Sequence, residues 1–244
     1  MTVTNAQSGT NVHEIAAGIF RINTPVPMDI GGFSFNQYLI VDEQPLLFHT
    51  GLRKMFPLVR EAVASVIPPE RLRYVSFSHV EADECGSLNE WLALAPQAAP
   101  LCSTIAGLVS VNDLADRPAR VLKDGEALNL GEHTVRWFDT PHLPHGWESG
   151  LLMEEKTRTL FCGDLFTQGG TKNPPLTEAD ILGPSEAFRR PMDYFSHAPD
   201  TAERIGKLAQ LRPGTLACMH GSAWQGDGAA LLRALAEAVK PVAA

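Results

Sequence analysis

The chain has 244 residues, 44% hydrophobic and 20% charged, an ordinary globular balance for one large α/β domain or two small ones. A formal net charge of −8 with no basic run argues against a nucleic-acid partner, because nothing gathers to neutralise phosphates. No stretch approaches the roughly 18 uninterrupted apolar residues that span a membrane.

Residues 1–9 carry neither a basic n-region nor an apolar h-region, so no secretory signal is expected, and residues 1–12 read as a flexible tail. Cys85, Cys102, Cys162 and Cys218 form no C-x-x-C pair, which argues against a zinc knuckle or rubredoxin-like iron site and fits a reducing, cytoplasmic compartment. Residues 13–22 read as a first strand, and 35–41 with 46–48 as a hairpin about the turn Asp42-Glu43-Gln44-Pro45. A helix is expected over 56–66, with Leu58, Val59, Ala62, Val63 and Val66 on one stripe and Pro68-Pro69 ending it. The aromatic and β-branched run 73–78 reads as a buried strand, and 87–94 as a helix. Further on come a short strand at 100–102, a helix at 103–111, strands at 134–138, 150–153 and 159–164, and an irregular segment over 167–198. A helix at 201–211, a strand at 215–219 and an amphipathic helix at 229–239 complete the order. No linker or break in composition divides residues 13–244, which are expected to form a single domain.

Between the strand at 73–78 and the helix at 87–94 lies Ser78-His79-Val80-Glu81-Ala82-Asp83-Glu84-Cys85-Gly86. The loop where a strand's C-terminal end hands over to a helix is the usual seat of ligand chemistry in layered α/β folds. Residues 79, 81 and 83 project to one side of an extended segment. An imidazole and two carboxylates there would repel and desolvate badly unless a cation sat between them. Later strand ends add Asp139 through Ser149 with His142 and His145, then Asp164, then His220.

His-x-Glu-x-Asp, an acidic residue, then x-Gly resembles the metal loop of the metallo-β-lactamase superfamily in its diiron branch. That branch holds the flavodiiron proteins and the shorter oxygen-binding diiron proteins. The opening aromatic-Asn-x-Tyr-Leu-Ile at 35–40 is similar too. The hydrolytic version carries His-x-His-x-Asp-His, whereas this chain has Glu81 and Glu84 at the second and fourth positions. The resemblance implies an α/β metallo-β-lactamase-like αββα sandwich. It implies one metal held by His79, Glu81 and His145, a second by Asp83 and His220, and Asp164 shared between them. His145 is preferred to His142, because a Ser that opens the next strand follows it four residues later. Glu84 either completes the shell of the second metal or faces the opening. Tyr194 and Phe195 are candidates to wall the pocket, as aromatics do in flavodiiron relatives. His13, His49, His133 and His197 read as structural, and the cysteines as small buried hydrophobes.

Carboxylate oxygen with imidazole suits iron, with zinc and manganese as alternatives. The resemblance therefore implies two Fe ions and a protein that binds or reduces dioxygen, as binder, sensor or partner-dependent oxidoreductase. No FMN domain or glycine-rich phosphate loop is evident after the closing helix, so an external electron-transfer partner is expected. The rival reading is a dinuclear hydrolase in which the metals generate hydroxide; Glu81 counts against it. A metal-free binding scaffold would need broken stations. The resemblance also implies a homodimer.

Overall fold

The computed structural model describes residues 1–28 and 31–240, so the last four residues of the expected domain, 241–244, lie outside the described residues. Strands whose side chains are buried on both faces need cover on both, and the fold supplies it with two sheets and two outer helical layers. The first sheet runs in chain order: β1 (Thr2–Asn5), β2 (Thr10–Ala16), β3 (Ile19–Val26), β4 (Phe33–Ile40), β5 (Leu46–Phe48), β6 (Tyr74–Ser76), β7 (Ala99–Ser103) and β8 (Arg120–Leu122). It is antiparallel as far as β5 and parallel beyond. The second sheet holds β9 (Ala127–Asn129), β10 (Thr134–Asp139), β11 (Gly150–Glu154), β12 (Thr159–Gly163), β13 (Leu176–Thr177), β14 (Thr215–Cys218) and β15 (Ala223–Gln225). Its spatial order is β13-β15-β14-β12-β11-β10-β9.

Between the sheets, Tyr38, Ile40 and Phe48 meet Trp137, Leu152 and Phe161. Three short helices come first: α1 (Phe56–Ala64), α2 (Ala82–Cys85) and α3 (Leu88–Leu94). Val59 and Val63 of α1 and Trp91 and Leu92 of α3 cover Leu39, Leu47 and Val75 on the outer face of the first sheet. A π-helical turn at Gly107–Val111 separates α4 (Thr104–Ala106) from α5 (Asn112–Leu114), where the sequence suggests one short helix. After α6 (Leu182–Met192), Ile205 and Leu208 of α7 (Thr201–Gln210) and Leu232 and Leu235 of α8 (Gly228–Ala238) cover Leu151, Leu160 and Leu216 of the second sheet. The layer order is αββα, as the motif implies.

Two expectations are corrected. Residues 1–12 are not a loose tail: β1 pairs antiparallel with β2, Thr2 opposite Val12 and Val3 opposite Asn11. The segment is a polar edge strand, whose outward residues need no apolar signal. The stretch 167–198 is not wholly irregular, because α6 occupies 182–192. Its prolines sit at the ends, Pro184 in the first turn, where no intrahelical N–H bond is lost, and Pro191 in the last.

This topology converges strand ends on one rim. β12 and β14 are parallel neighbours, with Gly163 beside Cys218, so Asp164 and His220 emerge side by side. The Met219 N–H donates to the Gly163 carbonyl at 2.9 Å, and the Asn36 N–H donates to the Met219 carbonyl at 2.8 Å, joining the sheets. On the other flank the Gly150 N–H donates to the Ser78 carbonyl at 2.9 Å, pinning the loop after β6 to β11. A Cβ at Gly150 would lie 2.2 Å from Trp137 Cζ2, on a ring buried between the sheets. Gly150→Ala is expected to lower unfolding free energy by about 1–3 kcal/mol through overpacking. Chemical denaturation reads it, and an unchanged midpoint would contradict the stated packing.

Candidate metal centre

Every residue at the rim arrives from a strand end or the loop beyond it. One ligand atom each from His79, Glu81, His145 and Asp164 falls within 4.8 Å of the others, a group that could hold a metal ion. Glu81 Oε2 lies 2.9 Å from Nε2 of both His79 and His145. Asp164 spans the centre: Oδ2 is 3.7 Å from His79 Nε2 and 3.5 Å from His145 Nε2, while Oδ1 is 3.3 Å from His220 Nε2. His220 Nε2 is also 3.4 Å from Asp83 Oδ2. The buried Asp164 Oδ1 has no aligned hydrogen-bond partner. Three imidazole nitrogens and three carboxylates, one of them with that orphaned oxygen, fit a cation-binding centre.

The far side of each imidazole is engaged, which selects the nitrogen turned inward. His145 Nδ1 donates to the Tyr194 carbonyl and His220 Nδ1 to the Ser34 carbonyl, each at 2.9 Å. His79 Nδ1 lies 3.0 Å from Ser78 Oγ. The loop bearing His220 hangs on buried groups from the first sheet. Asn36 Nδ2 donates to the Cys218 and Gly221 carbonyls, both at 2.8 Å; Tyr38 donates to the Cys218 carbonyl at 2.6 Å, and Arg21 to the Gly221 carbonyl at 2.7 Å. Glu148, buried beside the metal loop, accepts the Val80 N–H at 2.9 Å. Arg21 and Glu148 were not singled out from the sequence, and burial of a charged residue is not visible there. Asn36 and Tyr38 stand in the quoted opening strand, the one available hint.

Electrostatics follow from this crowding. Hydrogen bonds from His145 and His79 hold the Glu81 carboxyl down at about 2. Burial opposes charge on the imidazoles, yet Glu81 and Asp164 lift His79 and His145 to about 9. Against the same burial, the Asp164 and Asp83 carboxylates at 3.3 and 3.4 Å lift His220 to about 10. Burial would raise Asp164, but His220 and the other imidazoles hold it far below the carboxylate range.

Glu84, the remaining acidic residue of the loop, does not face this group. It is fully buried, with Oε2 2.5 Å from His49 Nε2 and Oε1 3.9 Å from His79 Nδ1. It does not face the opening either, so that alternative is corrected: the turn of α2 points residue 84 inward. Burial pushes Glu84 well up and His49 down to about 3, so it disfavours the charged form of both. His142 has an exposed side chain, and its carbonyl accepts from Ser196 Oγ at 2.5 Å. Tyr194 stands beside the centre: its OH donates to the Asp164 carbonyl at 3.0 Å, and its ring is 6.1 Å from that of His145. Phe195 instead packs in the outer core of the second sheet. A cavity of about 320 Å³ opens above the ligand atoms, walled by Met28, Phe33, Phe35, Phe188, Met192 and Tyr194.

Two outcomes are expected. His145→Ala should lower the metal retained after dialysis by about 10-fold or more, whereas His142→Ala, treated identically, should retain it; equal losses would contradict the placement of His145. Zinc uptake at pH near 7 should release protons from His79, His145 and His220, because metal displaces them. Release should shrink as the starting pH rises through about 9 to 10, where these imidazoles are already neutral. A pH indicator in weak buffer reads it, and a constant release would contradict the assignment.

Comparison with known proteins bears on the family and the fold. The family model for the ODP family beta lactamase matches residues 33–221. The rubredoxin-oxygen oxidoreductase of Megalodesulfovibrio gigas is 27% identical over 204 residues, 80% of this chain and 50% of that protein. The solved rubredoxin oxygen:oxidoreductase from the anaerobe Desulfovibrio gigas has a TM-score of 0.79 at 21% identity, over 95% of this chain and 63% of that one. A metal-soaked flavodiiron core from Synechocystis sp. has a TM-score of 0.77 at 22% identity, over 94% of this chain and 60% of that one. This chain thus spans half of the first relative and less than two thirds of either solved chain. The matched segment contains every proposed ligand from His79 to His220, and the chain belongs to the ODP family of metallo-β-lactamase-like proteins.

Proposed function

We propose that the chain is a non-haem diiron protein that binds or reduces dioxygen with electrons from an external donor. The observation that carries this reading is the donor set: three carboxylates against three imidazoles, with Asp164 reaching both His79 and His145 through one oxygen and His220 through the other. Such a set is hard for zinc chemistry and suits iron, with manganese and zinc as the alternatives. His79, Glu81 and His145 would hold one ion, Asp83 and His220 the other, and Asp164 both. The relative named as an oxygen oxidoreductase supports dioxygen as the small molecule.

Bound ferrous ions would supply two electrons to dioxygen. Full reduction to water takes four electrons and four protons, so a redox partner brings the rest. The protein's own residues then have three tasks. Glu81, Asp83 and Asp164 offset the positive charge of the ions and hold the harder oxidation state. The carbonyls of Tyr194 and Ser34 keep Nε2 of His145 and His220 turned inward. The wall is largely apolar, Met28, Phe33, Phe35, Phe188 and Met192, with the hydroxyls of Thr167 and Tyr194 its polar groups beside the ligands, which favours a small neutral substrate. These properties favour the oxygen chemistry over hydrolysis, in which a polar acyl or phosphoryl group would need donors around it.

Protein expressed in iron-replete medium is expected to carry about two iron ions per chain, to show near-ultraviolet ligand-to-metal absorption when oxidised, and to consume dioxygen after anaerobic reduction. Elemental analysis, an optical spectrum and an oxygen electrode are sufficient. Near-stoichiometric zinc together with hydrolysis of a thioester or lactone would overturn the proposal.

A further inference from the structure

Behind His79, on the side away from the centre, lies a second group of buried polar side chains: Ser78, His49 and Glu84. His49 follows β5, and its neighbour in the sheet is the end of β6: the His49 N–H donates to the Ser76 carbonyl at 2.7 Å. Its backbone is left-handed at φ 65, an uncommon conformation for a residue with a Cβ and one that persists where the surroundings over-determine it. His49 Nε2 is 2.5 Å from Glu84 Oε2 and 3.4 Å from Ser78 Oγ. The contact with Glu84 is short but off the line of a hydrogen bond, and both Glu84 oxygens and His49 Nδ1 remain without aligned partners. Three polar side chains are thus packed where apolar residues would cost less.

We propose that His49 and Glu84 act as one positioning unit for His79, through Ser78, and that Glu84 does not itself bind the second metal. For His79 Nε2 to turn a lone pair inward, Nδ1 must carry the proton and donate it to Ser78 Oγ, 3.0 Å away. The Ser78 hydrogen then has to point elsewhere, and His49 Nε2 is the polar atom on that side. Gly163 lies so close to Ser78 that a Cβ there would be 2.8 Å from Oγ, so this glycine leaves the room that the Ser78 hydroxyl occupies. Glu84 closes the arrangement, filling the space between His49 and His79 with Oε1 3.9 Å from His79 Nδ1. His145 and His220 are each held by a fixed backbone carbonyl. His79 alone rests on a hydroxyl, which can rotate, so it alone needs a further group to fix its support. Backbone bonds keep the two parts in register: the Thr50 N–H donates to the Glu84 carbonyl at 2.8 Å, and Ser87 Oγ donates to the Thr50 carbonyl at 3.0 Å.

The inference rests on the metal-centre reading but not on iron or dioxygen, so zinc serves as the probe. Zinc affinity and stoichiometry would be measured by competition with a chelating dye for the wild type, Glu84→Gln, His49→Phe, the double variant and His49→Gln. Nitrogen NMR of the diamagnetic zinc protein would report which nitrogen of His79 carries the proton. Glu84→Gln and His49→Phe should each keep the wild-type stoichiometry while weakening zinc by about 10–100-fold, the usual cost of losing a partner behind a ligand. The double variant should be no weaker than the worse single one, since both residues serve one contact. His49→Gln, whose amide oxygen can accept the Ser78 hydrogen in place of Nε2, should recover most of the loss and the wild-type His79 signal. Loss of one zinc per chain in Glu84→Gln, with His49→Phe unaffected, would make Glu84 a ligand and overturn the proposal. Wild-type affinity and an unaltered His79 signal in all variants would overturn it too, leaving only packing. Thermal unfolding of the metal-free variants separates misfolding from weaker binding; if His49→Phe does not fold, the comparison of Glu84→Gln with His49→Gln decides. Failure of the wild type itself to bind zinc would instead count against the metal centre.

Discussion

One buried carboxylate sets the terms for this structure. Asp164 sits among His79, His145 and His220 at the junction of the two sheets, too deep to be solvated and too crowded to be neutral. An isolated carboxylate there would cost far more than the fold could supply, so positive charge must be held against it in every state of the protein. Without metal, protonated imidazoles provide that charge; with metal, the ions do. The same side chains could thus serve two alternative sets of cations, and exchange between them would couple metal uptake to proton loss.

The two-sheet architecture meets this demand by distance along the chain rather than by local sequence. Asp164 and His220 stand together because β12 and β14 are parallel neighbours, although 56 residues of chain separate them. The 79–83 loop comes from the other sheet and is tied to the second by the bond from Gly150 to Ser78. Apolar packing of Tyr38, Phe48, Trp137 and Phe161 between the sheets keeps these strand ends at fixed separation. A centre whose ligands come from both sheets therefore depends on that inter-sheet core, and rigid strands place its donors better than loops of comparable length would.

Much of this was legible in the sequence, for physical reasons. The ligands occupy strand ends, and strands with apolar, β-branched interiors are readable from a short window; hence 73–78, 134–138, 159–164 and 215–219 fall close to β6, β10, β12 and β14. Donors of one chemistry recurring at those ends mark the candidate centre in the sequence. What was not legible is what depends on direction and burial. Thr2–Asn5 is a polar edge strand with no pattern to mark it, and the prolines of 182–192 conceal a helix because their harm depends on where in the helix they fall. Glu84 is plainly an acid in a metal loop, yet its neighbours in sequence do not tell that α2 turns it inward. Its partner, His49, lies 35 residues earlier, at the end of a strand paired with β6. A histidine with no local motif reads as structural until the pairing of strands brings it to the site.

The arrangement behind His79 also bears on why an acid can stand at position 84 in a centre already rich in carboxylate. A fourth anion facing the metals would strengthen hard cations further, but it would also raise the like-charge repulsion that Asp83, Glu81 and Asp164 already generate when metal is absent. Directing Glu84 away, next to His49 and out of solvent, takes it off the face that Asp83, Glu81 and Asp164 present, and burial disfavours its charged form. Its bulk is kept between His49 and His79. Were two divalent ions held there as proposed, three carboxylates would leave them one negative charge short of balance. The remaining positive charge would be available to an anion in the cavity above. A cavity walled largely by methionine and phenylalanine over such a pair would favour a small molecule that enters neutral and gains negative charge once there.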